Sequence, residues 1–211
     1  MEFRSTRMTF YLAVVAAVIA ACDSRQTQER SLLPDSVEAV CREGDIVLRS
    51  GTSLESHVVA AASLRTGYSH CGIVARGGDG KLVVVHAVPG EPDFEGDPDR
   101  VKAEPLRVFF SRRMARSGCL LRCADSIAAH HSAGHAMALF RRHTLFDHDY
   151  DERDTLKMYC SELVYYVYSR AGVKLIGPAR HDYDIPAMRL RGVILPSDFL
   201  YSPHLSRIAD F

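Results

Sequence analysis

Cys160 is the residue of this chain best placed to do chemistry. It sits in Met158-Tyr159-Cys160-Ser161-Glu162-Leu163-Val164, at the head of an apolar run with helical spacing. A cysteine there faces unpaired backbone N–H groups and the positive end of the helix dipole. Both favour the thiolate, the nucleophilic form of the side chain. Such a sulfur needs a general base. The chain has ten histidines, and two of them, His70 and His86, lie in short apolar runs that read as strands. An imidazole in an apolar strand costs stability unless it is paired or used. His70 as base and His86 as the group that orients its ring would complete a three-residue arrangement.

The elements around these residues give that arrangement its geometry. Ser69-His70-Cys71-Gly72-Ile73-Val74-Ala75 and Leu82-Val83-Val84-Val85-His86-Ala87-Val88 are strands joined by Arg76-Gly77-Gly78-Asp79-Gly80-Lys81, a strong hairpin turn. A turn centred on Gly78 and Asp79 leaves the two histidines one residue out of direct register. The slack of a bulge would make them cross-strand neighbours on one face. Gly44 to Arg49 reads as a strand, and Thr52-Ser53-Leu54-Glu55 as a capping box opening a helix to Leu64. Arg107 to Phe110 and Cys119 to Cys123 read as further strands. Ser126 to about Arg142 has helical spacing through Ile127, His130 or His131, Gly134, Met137, Ala138 and Phe140 or Arg141. Leu163, Val164, Val167, Tyr168 and Ala171 form one face of the helix begun at Cys160, which Gly172 closes. Tyr159 precedes the nucleophile, and its hydroxyl is expected to line an oxyanion pocket with the Cys160 N–H. Glu162, in the first helical turn, opposes a thiolate and is expected to point away or to pair with a cation.

Other constellations carry less. His130, His131 and His135 lack a nearby carboxylate, so no metal is expected there. The acidic loop from Asp147 to Asp154 lacks the glycine and terminal glutamate of an EF-hand. Arg112, Arg113 and Arg116 read as a solvated face. Cys41, Cys71, Cys119 and Cys123 have no zinc-ligand spacing and read chiefly as buried small hydrophobes; whether they form disulfides stays open. No cofactor is implied. The 26 basic and 26 acidic side chains balance, which argues against nucleic acid as the main partner.

The N-terminus reads as a targeting segment. Arg4 and Arg7 precede an apolar run from Phe10 to Ala21 that is short for a bilayer span. Its end, Ile19-Ala20-Ala21-Cys22, resembles a bacterial lipobox. That resemblance implies cleavage before Cys22 and lipidation of its thiol, hence a protein held on a membrane by a lipid anchor, in the cell envelope and facing the periplasm. Asp23 resembles an inner-membrane retention signal. The expected layout is a signal peptide over 1–21, a lipidated polar tether over 22–39, and one domain over 40–211.

Taken together, Gly44-Asp45-Ile46-Val47, Tyr68-Ser69-His70-Cys71-Gly72-Ile73-Val74, Val85-His86-Ala87, Phe146-Asp147 and Tyr159-Cys160-Ser161-Glu162-Leu163-Val164 resemble the circularly permuted branch of the NlpC-type papain-like cysteine peptidases, the YiiX/YaeF-like group. The histidine strands precede the cysteine helix, the reverse of papain-like order. The resemblance implies an α+β fold, an antiparallel sheet packed against helices, with the nucleophile at a helix N-terminus. It implies Cys160 as nucleophile, His70 as base and His86 at the third position, where relatives often carry glutamate. The expected function is that of a cysteine amidase or peptidase acting through a thioester on an envelope amide, a peptide such as a peptidoglycan stem, or an acylated amine. Two rivals remain: an acyltransferase on the same scaffold, and a non-catalytic envelope binding lipoprotein.

Overall fold

The structure is a computed structural model that describes residues 31–52, 67–185 and 188–211. The signal segment, Cys22, most of the tether and the helix expected over 53–64 lie outside the described residues. Along the chain run α1 (Asp35–Glu38), β1 (Ile46–Gly51), β2 (His70–Arg76), β3 (Leu82–Val88), β4 (Arg100–Pro105), α2 (Leu106–Phe109), β5 (Ala115–Cys123) and α3 (Ser126–Arg141). They are followed by β6 (Leu145–Phe146), β7 (Lys157–Met158), α4 (Cys160–Arg170), β8 (His181–Ile185), β9 (Met188–Val193), a 3₁₀ turn (Pro196–Tyr201) and β10 (Leu205–Asp210). Among the described residues one eight-stranded sheet has the order β10-β5-β1-β2-β3-β4-β6-β7. Its pairs are antiparallel except β6 with β7. The hairpin β8–β9 stands apart from it. This is an α+β fold with an antiparallel sheet packed against helices.

Both faces of the central strands are covered. On β2, Cys71, Ile73 and Ala75 join a large core with residues of α3 and α4, including Ala133, Met137, Leu163 and Val167. The alternate Val74 joins Val47, Val84, Leu120, Leu106, Phe109 and Phe110. Two-sided burial explains why these strands are apolar throughout and do not alternate with polar residues. Polar side chains that do enter such strands need partners in the sheet itself.

Two expected elements differ. Arg107 to Phe110 is no strand. Pro105 ends β4 with φ −55°, and Leu106–Phe109 winds into the short helix α2. Proline cannot donate to a ladder and suits a helix start. α3 forms where expected, but its inward face is Ala128, Ala129, Ser132, Ala133, Ala136, Met137 and Leu139, with Ile127 exposed. Asp125 accepts from the N–H groups of Ile127 and Ala128 and sets this rotation. The small residues allow close approach. A Cβ on Gly44, whose φ is +88°, would meet Ala129 Cβ at 2.5 Å. On the neighbouring helix, Tyr168 donates to the Gly44 carbonyl at 2.5 Å.

Candidate active site

Cys160 is the first residue of α4. Tyr159, in extended conformation, is the N-cap. The side chain of Glu162 accepts from the Tyr159 N–H at 3.2 Å, closing a capping box around the start of the helix. The Cys160 thiol is half-buried and stands 3.7 Å from Ser161 Oγ. Cys71 Sγ lies 3.8 Å from the same hydroxyl. A hydrogen bond from Cys71 holds Cys160 well below the ordinary thiol pKa. Burial opposes this, while the charge and hydrogen bond of His70 and the Ser161 hydroxyl add to it. Burial and the Cys160 partner push the Cys71 thiol up.

His70 and His86 do meet. Their rings cross at 81°, and His70 Nε2 lies 2.8 Å from His86 Nδ1. No bulge is required. The register Ile73↔Val85 sets His86 opposite Gly72, so the histidines are diagonal neighbours two residues apart on one face. The diagonal is open because residue 72 has no side chain. A Cβ there would stand 2.5 Å from Val84 Cγ1 and 3.1 Å from His86 Cβ. With Nε2 of His70 engaged, its Nδ1 is the nitrogen left for Cys160.

The row continues beyond what sequence reading assigned. Arg49 on β1 sits opposite His70. On β4, Lys102 sits opposite His86, and Glu104 is again two residues diagonal. Glu104 Oε1 lies 3.3 Å from His86 Nε2, but out of line for a good hydrogen bond, so both buried atoms lack a well-formed one. Arg49 donates to the Phe109 carbonyl at 3.0 Å and to Glu91 at 2.6 Å, and approaches Glu104 to 3.9 Å. Burial drives His86 toward its neutral form, against the pull of Glu104. Burial also acts to raise Glu104, but His86, Arg49 and Lys102 outweigh it and hold the carboxyl below its ordinary value. Phe109 of α2 closes the row. Its ring centroid lies 5.7 Å from His70, 5.2 Å from His86 and 4.5 Å from the Arg49 guanidinium. The segment expected as a strand is therefore the hydrophobic cover of the polar row. The signal for Glu104 in the sequence is its spacing of two from Lys102, on a strand of mixed charge whose last residues are partly exposed.

Two expectations about neighbours of Cys160 need correction. The Tyr159 hydroxyl accepts from the Ile194 N–H at 3.0 Å and lies 3.4 Å from Glu152 Oε1. It is committed to the β9 exit. Among the described residues no cation pairs with Glu162; its carboxylate turns back to the Tyr159 N–H. It is 4% exposed, among the carboxylates Asp147, Glu152 and Asp154. Burial pushes it up to about 8, the Tyr159 N–H opposing and the three carboxylates assisting. At neutral pH it is largely uncharged and does not oppose the thiolate.

The remaining candidates stay outside this site. His130 and His131 are exposed on α3, with His130 3.3 Å from Glu43. Asp147 accepts from the N–H groups of Asp149 and Asp151, shaping its own loop. Cys71, Cys119 and Cys123 are buried free thiols, and Cys41 is a half-buried one.

A cavity of about 340 Å³ opens over Cys160, Ser161 and His70. Its walls come from β3 and the loop after it, from Phe146 and Tyr150, and from the segment Leu190 to Pro196.

Comparison with known proteins agrees with this geometry. Residues 40–209 match the permuted papain-like amidase enzymes, YaeF/YiiX, of the C92 family. The fold is similar to the crystal structure of metalloprotein YiiX from Escherichia coli O157:H7, with a TM-score of 0.62 at 19% identity, over 81% of this chain and 97% of that one. No curated protein matches. With the histidine-bearing hairpin ahead of the cysteine helix, and the match running from before β1 into the last strand, the chain belongs to the permuted papain-like amidase family.

Proposed function

We propose that this protein is a cysteine amidase or peptidase in which Cys160 attacks an amide carbonyl and His70 moves the proton. The observation that carries the reading is the 2.8 Å contact between His70 Nε2 and His86 Nδ1 beside a thiol depressed at a helix N-terminus. The Cys160 thiolate adds to the carbonyl carbon, and the oxyanion gathers at the Cys160 N–H and the positive end of α4. His70 Nδ1–H gives its proton to the departing amine, leaving a Cys160 thioester. Water then attacks the thioester and gives a proton to the same nitrogen. The acid leaves and the thiolate–imidazolium pair is restored. His86 stays neutral. It accepts from His70 at Nδ1 and turns its Nε2–H toward Glu104, so the carboxylate fixes which tautomer His86 adopts. Glu104 thus plays the part of the glutamate relatives carry next to the base, moved one strand outward.

The similar structure is that of a metalloprotein. In this chain His86, Glu91 and Glu104 place donor atoms within 4.8 Å of one another. The set does not fit a divalent cation well. The Arg49 guanidinium already holds Glu91 at 2.6 Å and stands 3.9 Å from Glu104. A cation there would also take the Nε2 lone pair, forcing the proton of neutral His86 onto Nδ1, which then no longer accepts from His70. No step of the reaction passes through a metal.

The lipobox-like Ile19-Ala20-Ala21-Cys22 supports an envelope location with a lipid anchor at Cys22 and an envelope amide as substrate. Among the described residues no helix is long and apolar enough to cross a membrane.

The test is acylation of the full-length protein by an electrophilic acyl probe, followed by intact mass and peptide mapping. One acyl group on Cys160, lost with time in water, is the expected result. An adduct elsewhere, or none on Cys160, overturns the reading. Palmitate labelling of wild type but not of Cys22→Ser checks the anchor.

A further inference from the structure

Cys71 is a second nucleophile, which the proposed reaction leaves idle. It follows His70 on β2, so it points to the other face of the strand, 0% exposed in the core shared with α4. Its S–H donates to the Cys160 sulfur. The two sulfurs also share a neighbour, Ser161 Oγ, at 3.8 Å from Cys71 and 3.7 Å from Cys160.

The other described thiols are placed away from this pair. Leu48 is in register with Cys71 on one side and with Cys119 on the other. Two strand spacings, about 10 Å, therefore separate those cysteines, beyond the span of a disulfide. Cys123 lies further along β5, and Cys41 packs on the opposite side of the sheet, with Val47 and Phe110. The pair is also divided by access. Cys160 is half-buried and lines the cavity, so a small oxidant reaches it, whereas Cys71 meets no solvent. An accessible thiolate with a second thiol at hydrogen-bond distance is the arrangement in which one sulfur is oxidised and the other resolves it.

We infer that Cys71 is the resolving thiol of Cys160, and that the pair is an oxidation site for small hydroperoxides, closing reversibly to a Cys71–Cys160 disulfide. The Cys160 thiolate attacks the terminal peroxide oxygen. An S–O bond forms, the O–O bond breaks, and the departing alkoxide or hydroxide takes a proton from water. Cys160 is now a sulfenic acid, and the peroxide has gained two electrons. The Cys71 sulfur then attacks the Cys160 sulfur. The S–O bond breaks, and the Cys71 proton leaves with the hydroxyl as water. The closing movement falls on Cys160, the first residue of α4, whose N–H has no partner within the helix. The disulfide occupies the sulfur that amide cleavage needs and keeps it from the irreversible sulfinic stage. A dithiol reductant returns both thiols and is itself left as a disulfide.

The test treats the reduced full-length protein with limiting hydrogen peroxide, blocks the remaining thiols under denaturing conditions and maps the peptides without reduction. The Cys71 and Cys160 peptides should be joined, with two free thiols lost per chain and acylation by the electrophilic probe lost with them. Dithiothreitol should restore both. In Cys71→Ser, dimedone should trap Cys160 as the sulfenic acid, and further peroxide should carry it to a sulfinic acid that dithiothreitol does not recover. Should that variant fail to fold, the wild-type map decides. Sulfinic Cys160 beside a free Cys71 in the wild type, Cys160 joined to another cysteine, or Cys160 untouched by peroxide overturns the inference. The amidase reading is judged apart, by acylation of the reduced protein before peroxide is added. If that acylation is missing, the amidase reading fails, and the peptide map still upholds or overturns the disulfide.

Discussion

His70 Nε2 lies 2.8 Å from His86 Nδ1, and in the proposed reaction this contact decides which nitrogen does chemistry. A base whose Nε2 is taken must work through Nδ1. A partner that accepts at Nδ1 must carry its own proton on Nε2, facing Glu104 at 3.3 Å. Removal of His70 as His70→Ala should lower kcat/KM by about 10²–10⁴, the usual weight of general acid–base catalysis. His86→Ala should cost less, because His86 acts through the orientation of its neighbour. Steady-state kinetics on one chromogenic ester checks both. Equal losses would mean that His86 does more than orient.

Glu104→Gln should leave His86 oriented through the amide oxygen while removing the charge. The imidazolium of His70 loses stabilisation, so the alkaline limb of the kcat/KM profile should move to lower pH. The acid limb, set by the thiol, should move little. A profile that does not change would reduce Glu104 to packing.

The thiols should react in a set order. Cys160 is held below the ordinary thiol value by Cys71 and His70. Burial, helped by Asp45, pushes Cys41 up to about 12, and burial with Asp210 pushes Cys119 up to about 12. Burial also raises Cys123 and Cys71. Limiting iodoacetamide at pH 7 should mark Cys160 first. Labelling of another cysteine at a comparable rate would remove the assignment of nucleophile.

Glu162 ties stability to pH. It titrates near 4.5 when free of the fold and at about 8 within it, chiefly through burial. The folded state therefore binds the proton more tightly, so stability from this group is complete below 4.5 and is lost as pH rises through 8. Glu162→Gln removes the titration. Its melting temperature relative to wild type should climb between pH 4.5 and 8 and level off above. A constant difference across that range would show that Glu162 does not change charge.

Gly72→Ala should fold poorly or not keep its site. The new methyl would sit 2.5 Å from Val84 Cγ1 and 2.9 Å from the Val85 carbonyl. Overpacking of this kind costs about 1–3 kcal/mol, and the displaced strand carries His86 with it. Urea denaturation and activity at low denaturant measure the two effects separately.

Much of this was legible in the sequence, for identifiable reasons. β2, β3 and α4 announce themselves because a glycine-rich turn and a strong apolar face fix their ends. The histidine pair was legible as a hairpin pair only with an assumed bulge; the real register is one residue further on and gives the common face without it. Glu104 was not, because Arg100–Pro105 mixes charges in a way that reads as an exposed edge. Its partners on other strands are His86 of β3 and Arg49 of β1. Phe109 was not, because a four-residue helix has no periodicity to read, and α2 is set by Pro105. Tyr159 has the residue type and position for oxyanion work. Only the fold shows the Ile194 N–H reaching its hydroxyl from 35 residues away.

The chain order has a consequence during synthesis. Arg49, His70, His86 and Glu104 all leave the ribosome before Cys160, by several seconds at roughly 5–20 residues per second. The row is therefore in hand when the thiol emerges, and a chain broken off between β4 and α4 carries that row without the thiol, Ser161 or the helix terminus at which the thiol stands.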